Sequence, residues 1–328
     1  MQPKNGDVRV GPGGLYEIGT DRSSSERYAA FMSRSTPEDK EQFRLDAYNA
    51  TIRPITPDDR ALLHELTLSV FWRHRTHDLD LFMSLGQGYI ALDEIGRPLG
   101  SAMYFPVGQD FATFGLMITM PRLQALGAGR RLLRRILKDC EGRDLRLMAT
   151  KSAYWLYESA GFVPVGTIWQ QEGVARDIHP PNPVTGLEVR PLESAHMPAV
   201  YALDAQAYGA DREVILNKLL GLSEGVVALR DGVVCGYAMI HPFGRVEVIG
   251  PIVAEDDSMA MHICASLIQR RKGHELRVDT PQQSEHFKAF LSAAGLGVVD
   301  TVTEMRIGRS RRSTEGPVIY GLAAQSLG

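Results

Sequence analysis

Between Arg130 and Cys140 the apolar residues fall at 132, 133, 136, 137 and 140, and arginines hold 130, 131, 134 and 135. Apolar positions three and four apart line one face of a 3.6-residue period, so the stretch predicts an amphipathic helix with its arginines off the apolar face. Just upstream, FATFGLMITMP (111–121) is an apolar, β-rich run closed by a proline, which predicts a strand. Gly127-Ala128-Gly129 lies between the two. Glycines let the backbone turn with positive φ and approach a ligand closely, and the first N–H groups of a helix point out of its positive end. The order strand, glycine loop, helix therefore fits an anion cradle. On these residues alone a second reading stays open, a tight turn before a solvated arginine face.

The same patterning recurs along the chain. TIRPITPDDRALLHEL (51–66) returns as EVRPLESAHMPAVYAL (188–203), and GYIALDEIGRPLGSAMYFPVG (88–108) returns as GVVALRDGVVCGYAMIHPFG (225–244). LYESAGFVPVGTIWQ (156–170) has its counterpart in FLSAAGLGVVDTVTE (290–304). Each copy reads strand, helical region, a β-hairpin around a Gly turn, a third and fourth strand, helix, strand, short helix, strand. That mixture predicts an α/β fold present twice, each a mixed sheet flanked by helices. The expected division is an N-terminal extension over 1–50, a first domain over 51–176, a linker over 177–186 and a second domain over 187–328. DIHPPNPVTG supplies the linker's three prolines and closing glycine. In the extension the Gly- and Ser-rich start reads as flexible, and Ser24 to Phe43 reads as helix, its second half starting at Thr36-Pro37-Glu38-Asp39. VIYGLAAQ (318–325) reads as a final strand that completes either its own domain or the other.

Composition narrows the class. With 328 residues, 44% hydrophobic and 23% charged, the chain has room for about two domains of an ordinary soluble protein. A net charge of −3 offers no basic excess to release counterions from nucleic acid, so none is expected as a partner. Cys140, Cys235 and Cys264 are far apart and odd in number, which indicates neither a disulfide framework nor a zinc site. No apolar run reaches the roughly 18 residues of a membrane span, and MQPKNGDVRVGPGG lacks the apolar core of a signal peptide. A cytoplasmic protein, monomer or homodimer, without membrane, nucleic-acid or metal partners is the expectation.

The glycine loop fits neither of the two commonest phosphate motifs. No Lys-Ser or Lys-Thr follows it, as a P-loop requires, and Leu132 stands where a dinucleotide fingerprint needs its third glycine. Gln124-Ala125-Leu126-Gly127-Ala128-Gly129 instead resembles the Q/R-x-x-G-x-G/A loop by which GNAT-superfamily acyltransferases bind the pyrophosphate of coenzyme A. LRLMATKSAYWLYESAGFVPVGT resembles the second GNAT signature, a strand and short helix reading L-Y-E-x-x-G-F. WRHRTHDLDLFMSLGQGYIA, and in the second half YGADR, GPIVAED, LRVDTP and VIYGLAAQSLG, resemble bacterial tandem GNAT acetyltransferases from about residue 51 onward.

That resemblance implies two tandem GNAT folds, acetyl-CoA as co-substrate and direct attack of an amine on the thioester. Backbone amides of Leu126, Gly127, Ala128, Gly129 and Arg130 would hold the pyrophosphate, with Gln124 beside them. Met117, Ile118 and Thr119 would line the pantetheine and offer backbone groups to the thioester oxygen. Tyr157 would protonate the leaving thiolate, a phenol of pKa about 10 donating to a thiol of about 8.5. A simpler role for Tyr157 is packing the short helix on the sheet. The Asn that often precedes this helix is absent, leaving Thr150 or Ser152 near the pantetheine, and the fourth strand carries no Glu to act as base.

An amine attacks only when neutral, so a base or water relay is needed. His74, His77 and Asp78 in WRHRTHDLD are the candidates, against the alternatives of a metal site or a charged helix surface. Asp211 and Arg212 occupy the corresponding place in the second copy, Arg212 to bind an acidic substrate group or an ion-pair partner. The second copy has Glu255-Asp256-Asp257 where the first has its glycine loop. Three carboxylates repel a pyrophosphate, so cofactor binding is expected in the first copy alone, the acids being helix caps or a metal site. The favoured function is N-acetyl transfer to a small-molecule amine. The alternatives are a non-catalytic acyl-CoA-binding module or an acyltransferase with a different acyl donor.

Overall fold

A computed structural model describes residues 22–33, 42–45, 48–124 and 126–328 of the chain. The first copy runs β2 (Tyr48–Pro54), α2 (Arg60–Ser69), α3 (Thr76–Leu85), β3 (Gln87–Leu92), β4 (Pro98–Val107), β5 (Phe111–Thr119), α4 (Ala128–Asp139), β6 (Asp144–Ala149), α5 (Tyr154–Ser159) and β7 (Val163–Val174). The second repeats that order: β8 (Leu187–Pro191), α6 (Met197–Tyr208), α7 (Glu213–Leu220), β9 (Glu224–Arg230), β10 (Val233–Phe243), β11 (Val246–Ala254), α8 (Asp257–Gln269), β12 (Glu275–Thr280), α9 (Glu285–Ala293) and β13 (Gly297–Ile307). Ahead of them stand α1 (Arg22–Ser33) and β1 (Gln42–Leu45), and behind them β14 (Val318–Gly321).

The strands form one sheet in the order β1-β2-β3-β4-β5-β6-β13-β7-β12-β11-β10-β9-β8, with β14 branching from β11. Its middle is an exchange. β13 of the second copy pairs antiparallel with β6, Thr303 opposite Ala149, and with β7, Thr301 opposite Trp169. β7 of the first copy pairs on its far side with β12, Gln171 opposite Val278. Neither copy closes its own sheet, and swapping β6 with β12 and β7 with β13 returns the same order, a pseudo-two-fold arrangement.

Charge and apolar packing hold the exchange together. Arg146 on β6 meets Glu304 on β13 at 3.1 Å with both side chains nearly buried, and Arg312 reaches the same carboxylate at 2.7 Å. One apolar cluster draws Leu79, Phe82, Phe105 and Phe111 from the first copy and Tyr208, Tyr237, Leu322 and Leu327 from the second. Each large apolar side chain buried this way stabilises the fold by about 1.5–3 kcal/mol, so the two sequence copies fold as mutual supports.

The extension departs from its expected helix. Arg22–Ser33 is helical, but Gln42 and Phe43 lie in β1, which lengthens the sheet beside β2. Thr36 to Asp39 and the glycine-rich start lie outside the described residues. The arginine face of α4 is not merely solvated, as its periodicity allows: Arg130 and Arg134 stack on Phe31, Arg131 on Phe43 and Arg135 on Tyr89. Hydropathy periodicity marks arginine as polar and cannot show that its planar guanidinium covers an aromatic ring.

Candidate functional site

The site begins with a fault in β5. Met103 on β4 faces Gly115 and Ser101 faces Ile118, so Leu116 and Met117 together oppose Ala102. This is a β-bulge, with Leu116 forced to φ 44° and its carbonyl accepting from Ser101 Oγ at 2.8 Å. β5 and β6 run parallel only from Phe111 and Asp144 to Phe114 and Leu147, and past that point they separate. Exposure alternates beyond the bulge: Ile118 is buried against Leu66 and Ile90, while Met117 lines the opening and Thr119 stays partly exposed.

At the mouth of the opening α4 starts. Gly127 is its N-cap in the left-handed conformation, φ 98°, with no side-chain cap. The first-turn amides of Ala128, Gly129 and Arg130 therefore have no acceptor within the helix. A Cβ on Gly129 would lie 3.3 Å from Thr119 Oγ1, so a larger side chain there is pressed toward the cleft. Gln124 donates to the Thr119 carbonyl at 3.3 Å, Leu126 is half-exposed, and Ala125 lies outside the described residues. These features fit a diphosphate above and an extended thiol-bearing arm between β5 and β6.

A cavity of about 500 Å³ opens from this cleft across the exchanged strands. Met117, Thr150 and Tyr157 line its first-copy end, and Met148 on β6, Val302 and Asp300 on β13, Gln170 and Glu172 on β7 and Arg277 on β12 form its floor. Thr150 Oγ1 lies 3.1 Å from Ser152 Oγ. Tyr157 is 5% exposed, edge-on to Phe162, and burial raises its pKa, so the phenol stays protonated. It packs the helix and reaches the cavity at once.

Of the three candidate bases only His74 lines this cavity. Its ring sits among Trp72, Phe82 and Phe243, its Nδ1 is buried without a partner, and burial pulls its pKa down to about 4. His77 and Asp78 lie outside the lining. The Asp78 carboxylate, 1% exposed, accepts from Arg75 N at 2.6 Å and Gly244 N at 2.9 Å, and His77 Nε2 stands 3.1 Å from it. Asp78 thus caps α3 and fastens the β10–β11 turn of the other copy. Its residue type and position suggested chemistry, but the helix start and the foreign turn both bond its Oδ2, and His77 stands against Oδ1.

Arg73, Arg245, Glu172, Asp300 and Arg277 were not singled out from sequence. Each is a polar residue on an ordinary loop or strand face, and only the exchange brings them into one cavity. Gln325 and Ser326 also line it, and Thr113 Oγ1 donates to the Ser326 carbonyl at 2.7 Å.

The second copy has the same splay and different contents. β11 and β12 pair only at Glu247/Leu276 and Val248/Arg277. Into the gap runs β14, pairing Ile252 with Gly321 and Val253 with Ile319, while Leu322 N donates to the Asp279 carbonyl on β12 at 2.9 Å. A Cβ on Gly250 would stand 1.9 Å from the Leu322 carbonyl, so only glycine lets the inserted chain pass. At the start of α8, Asp256 accepts from Met259 N at 2.8 Å, and Asp257 accepts from Tyr320 OH at 2.8 Å and from Ser284 Oγ. Glu255 pairs with Arg230 at 2.6 Å. Of the three acids, Asp256 is a cap, Glu255 an ion-pair partner and Asp257 an acceptor for two hydroxyls. Arg212 is fully buried, paired with Asp204 at 2.6 Å and donating to the Gly328 carbonyl at 2.7 Å, so its role is the ion pair and the tail.

A bulged strand splayed from its parallel neighbour beside an uncapped helix N-terminus is the arrangement of an acyltransferase fold. The comparisons agree. Models of the acetyltransferase (GNAT) domain match residues 77–176 and 200–321, and the chain belongs to that family as a tandem of two such domains, an acetyltransferase. It is 28% identical over 220 residues to the uncharacterized N-acetyltransferase YitH of Bacillus subtilis (strain 168), covering 66% of this chain and 76% of the relative. Among solved structures, a candidate acetyltransferase of Pyrococcus horikoshii superposes with TM-score 0.70 at 20% identity, covering 88% of this chain and 99% of that one. A tandem GNAT protein from the clavulanic acid biosynthesis pathway gives TM-score 0.58 at 14% identity, covering 80% and 100%. At such identities these two likenesses are of fold. Among the described residues no helix is long and apolar enough to cross a membrane.

Proposed function

We propose that this protein transfers the acetyl group of acetyl-CoA to the amine of a small molecule, in the first copy alone. The observation that carries this is the contrast between an open β5–β6 cleft under an uncapped helix and a β11–β12 cleft filled by β14. Acetyl-CoA supplies the thioester. The amides of residues 128–130 hold its diphosphate, assisted by Gln124, and the bulge at Leu116 and Met117 leaves backbone groups free to face the carbonyl oxygen. Tyr157 gives its phenolic proton to the departing sulfur, and bulk water restores it.

The amine must arrive or become neutral. A group held near 4 has little drive to take a proton from an alkylammonium, so His74 serves as a neutral hydrogen-bond partner. Glu172 and Asp300 are the cavity's anionic acceptors, passing the amine's proton to solvent. Both walls of the cavity come from one chain, so a monomer suffices.

Calorimetric titration of acetyl-CoA tests the reading. One site per chain is expected, lost in Gly129→Glu, where a carboxylate meets the diphosphate, and kept in Tyr157→Phe, where turnover falls about 100-fold or more. Two sites per chain, or full turnover in Gly129→Glu, overturns it.

A further inference from the structure

The acceptor end of the cavity is charged in an ordered way. Arg73, from the loop between α2 and α3, and Arg245, from the β10–β11 turn, come from different copies and line it together. Their loops touch, since a Cβ on Gly244 would stand 2.9 Å from the Arg73 carbonyl. Neither guanidinium has an ion-pair or hydrogen-bond partner among the described residues, in contrast to Arg277, which pairs with Asp279 at 2.6 Å. Two unpaired cations converging on one cavity repel each other and gain most from a shared anion.

The carboxylates lie on the other side of these arginines. From the Tyr157 end the floor runs β6, β13, β7, β12, so Asp300 and Glu172 come first and the β10–β11 turn last. Strands are spaced by about 4.8 Å, which puts roughly 10 Å between the carboxylate zone and the arginine zone. Trp72 and Phe243 give the stretch between them apolar walls, and Arg277 on β12, its charge paired with Asp279, lies on its floor.

We propose that the acceptor is an elongated amine with an anionic group at its far end, the ammonium drawn between Glu172 and Asp300 and the anion clasped by Arg73 and Arg245. This rests on the acyl-transfer reading above and adds the substrate class. A cavity built for a neutral amine has no use for two unpaired guanidiniums, and one built for a polyamine is opposed by them.

The test compares 6-aminohexanoate with 6-aminohexanamide, and 6-aminohexyl phosphate with 6-aminohexanol, as acceptors of acetyl-CoA at low salt. The anionic member of each pair is expected to show a kcat/KM higher by roughly ten- to a hundredfold, and the pair with the larger ratio distinguishes carboxylate from phosphate. In the double variant Arg73→Gln, Arg245→Gln, both side chains being exposed, the ratio is expected to fall to about one. Equal or better use of the neutral members, or a preference that survives the double variant, overturns the inference and leaves acyl transfer standing. Should no amine be acetylated, calorimetry with 6-acetamidohexanoate and with 6-acetamidohexyl phosphate decides. Binding of either that the double variant abolishes supports the anion site and sinks the transferase reading, whereas no binding of either sinks the inference too.

Discussion

The two clefts differ less in backbone than in what occupies them. Each opens where a parallel strand pair parts, β5 from β6 after Phe114 and β11 from β12 after Val248. The first is left as a cleft and cavity. The second holds β14, hydrogen-bonded to both walls, with Tyr320 bound to Asp257 at the helix start. Where Tyr157 stands in the first copy, the repeat places Leu291, fully buried and without a hydroxyl. A splayed sheet leaves unpaired backbone groups along both walls, and these need a partner. The open cleft leaves them for a ligand, and the closed one satisfies them with the chain itself.

The comparison breaks hardest if the filling is removed. Ile319, Tyr320, Leu322, Ala323, Ala324 and Leu327 are all nearly or fully buried. At about 1.5–3 kcal/mol for each large side chain, deleting 318–328 removes an amount comparable to the whole 5–15 kcal/mol of a typical domain. The truncated chain is expected not to fold, by circular dichroism. Leu322→Ala, a milder version, should cost about 2–5 kcal/mol in urea denaturation. A truncated chain with native melting would mean that β14 is dispensable and the second cleft only happens to be filled.

Next in size is the anchor of the tail. Arg212 and Asp204 are both fully buried, Tyr237 donates to Asp204, and Arg212 donates to the Leu327 carbonyl at 3.3 Å and the Gly328 carbonyl at 2.7 Å. Arg212→Met leaves a buried carboxylate without its cation and should cost about 3–5 kcal/mol. Adding Asp204→Leu should recover much of that. A single variant as stable as the parent would show that the pair does not hold the tail.

His74 provides a pH-dependent mark on the joint between the copies. Burial holds its pKa at about 4 against 6.5 for the free side chain, so it folds neutral between Trp72, Phe82 and Phe243. Its contribution is fully present above about pH 6.5 and is lost as pH falls toward 4, because the unfolded chain takes up the proton first. The span is on the order of 3 kcal/mol. Stability measured from pH 7 to pH 4 should therefore fall less steeply in His74→Phe than in the parent; identical slopes would remove His74 from the account.

How much of this was legible in the sequence depends on distance along the chain. The strand at 111–119 and the helix at 128–139 follow from local periodicity, and the glycine loop from residue type. The exchange of β7 and β13 leaves no such trace, since Thr301 pairing with Trp169 instead of within its own copy changes no local pattern. VIYGLAAQ reads as a strand, but its partner, the inner edge of β11, is identified only by Gly250, whose missing Cβ lets Leu322 pass. Phe43 reads as helix by composition and is a strand because β2 offers an edge to pair with. The cavity's arginines and carboxylates were illegible for the same reason as the exchange that assembles them.

The smallest effect separates two explanations of the closed cleft. On sequence the acids at 255–257 suffice as an explanation, since carboxylates repel a diphosphate. In the structure Asp256 is an ordinary N-cap, and Asp256→Ala should cost only about 1 kcal/mol. If the acids alone kept a ligand out, Asp256→Gly with Asp257→Gly would create a second acetyl-CoA site. If β14 keeps it out, the doubly substituted chain still titrates with one site, because the strand remains paired to Ile252 and Val253. The expectation is one site. Calorimetric stoichiometry of that variant is the measurement that tells charge from occupancy, and a value of two would assign the difference between the copies to charge.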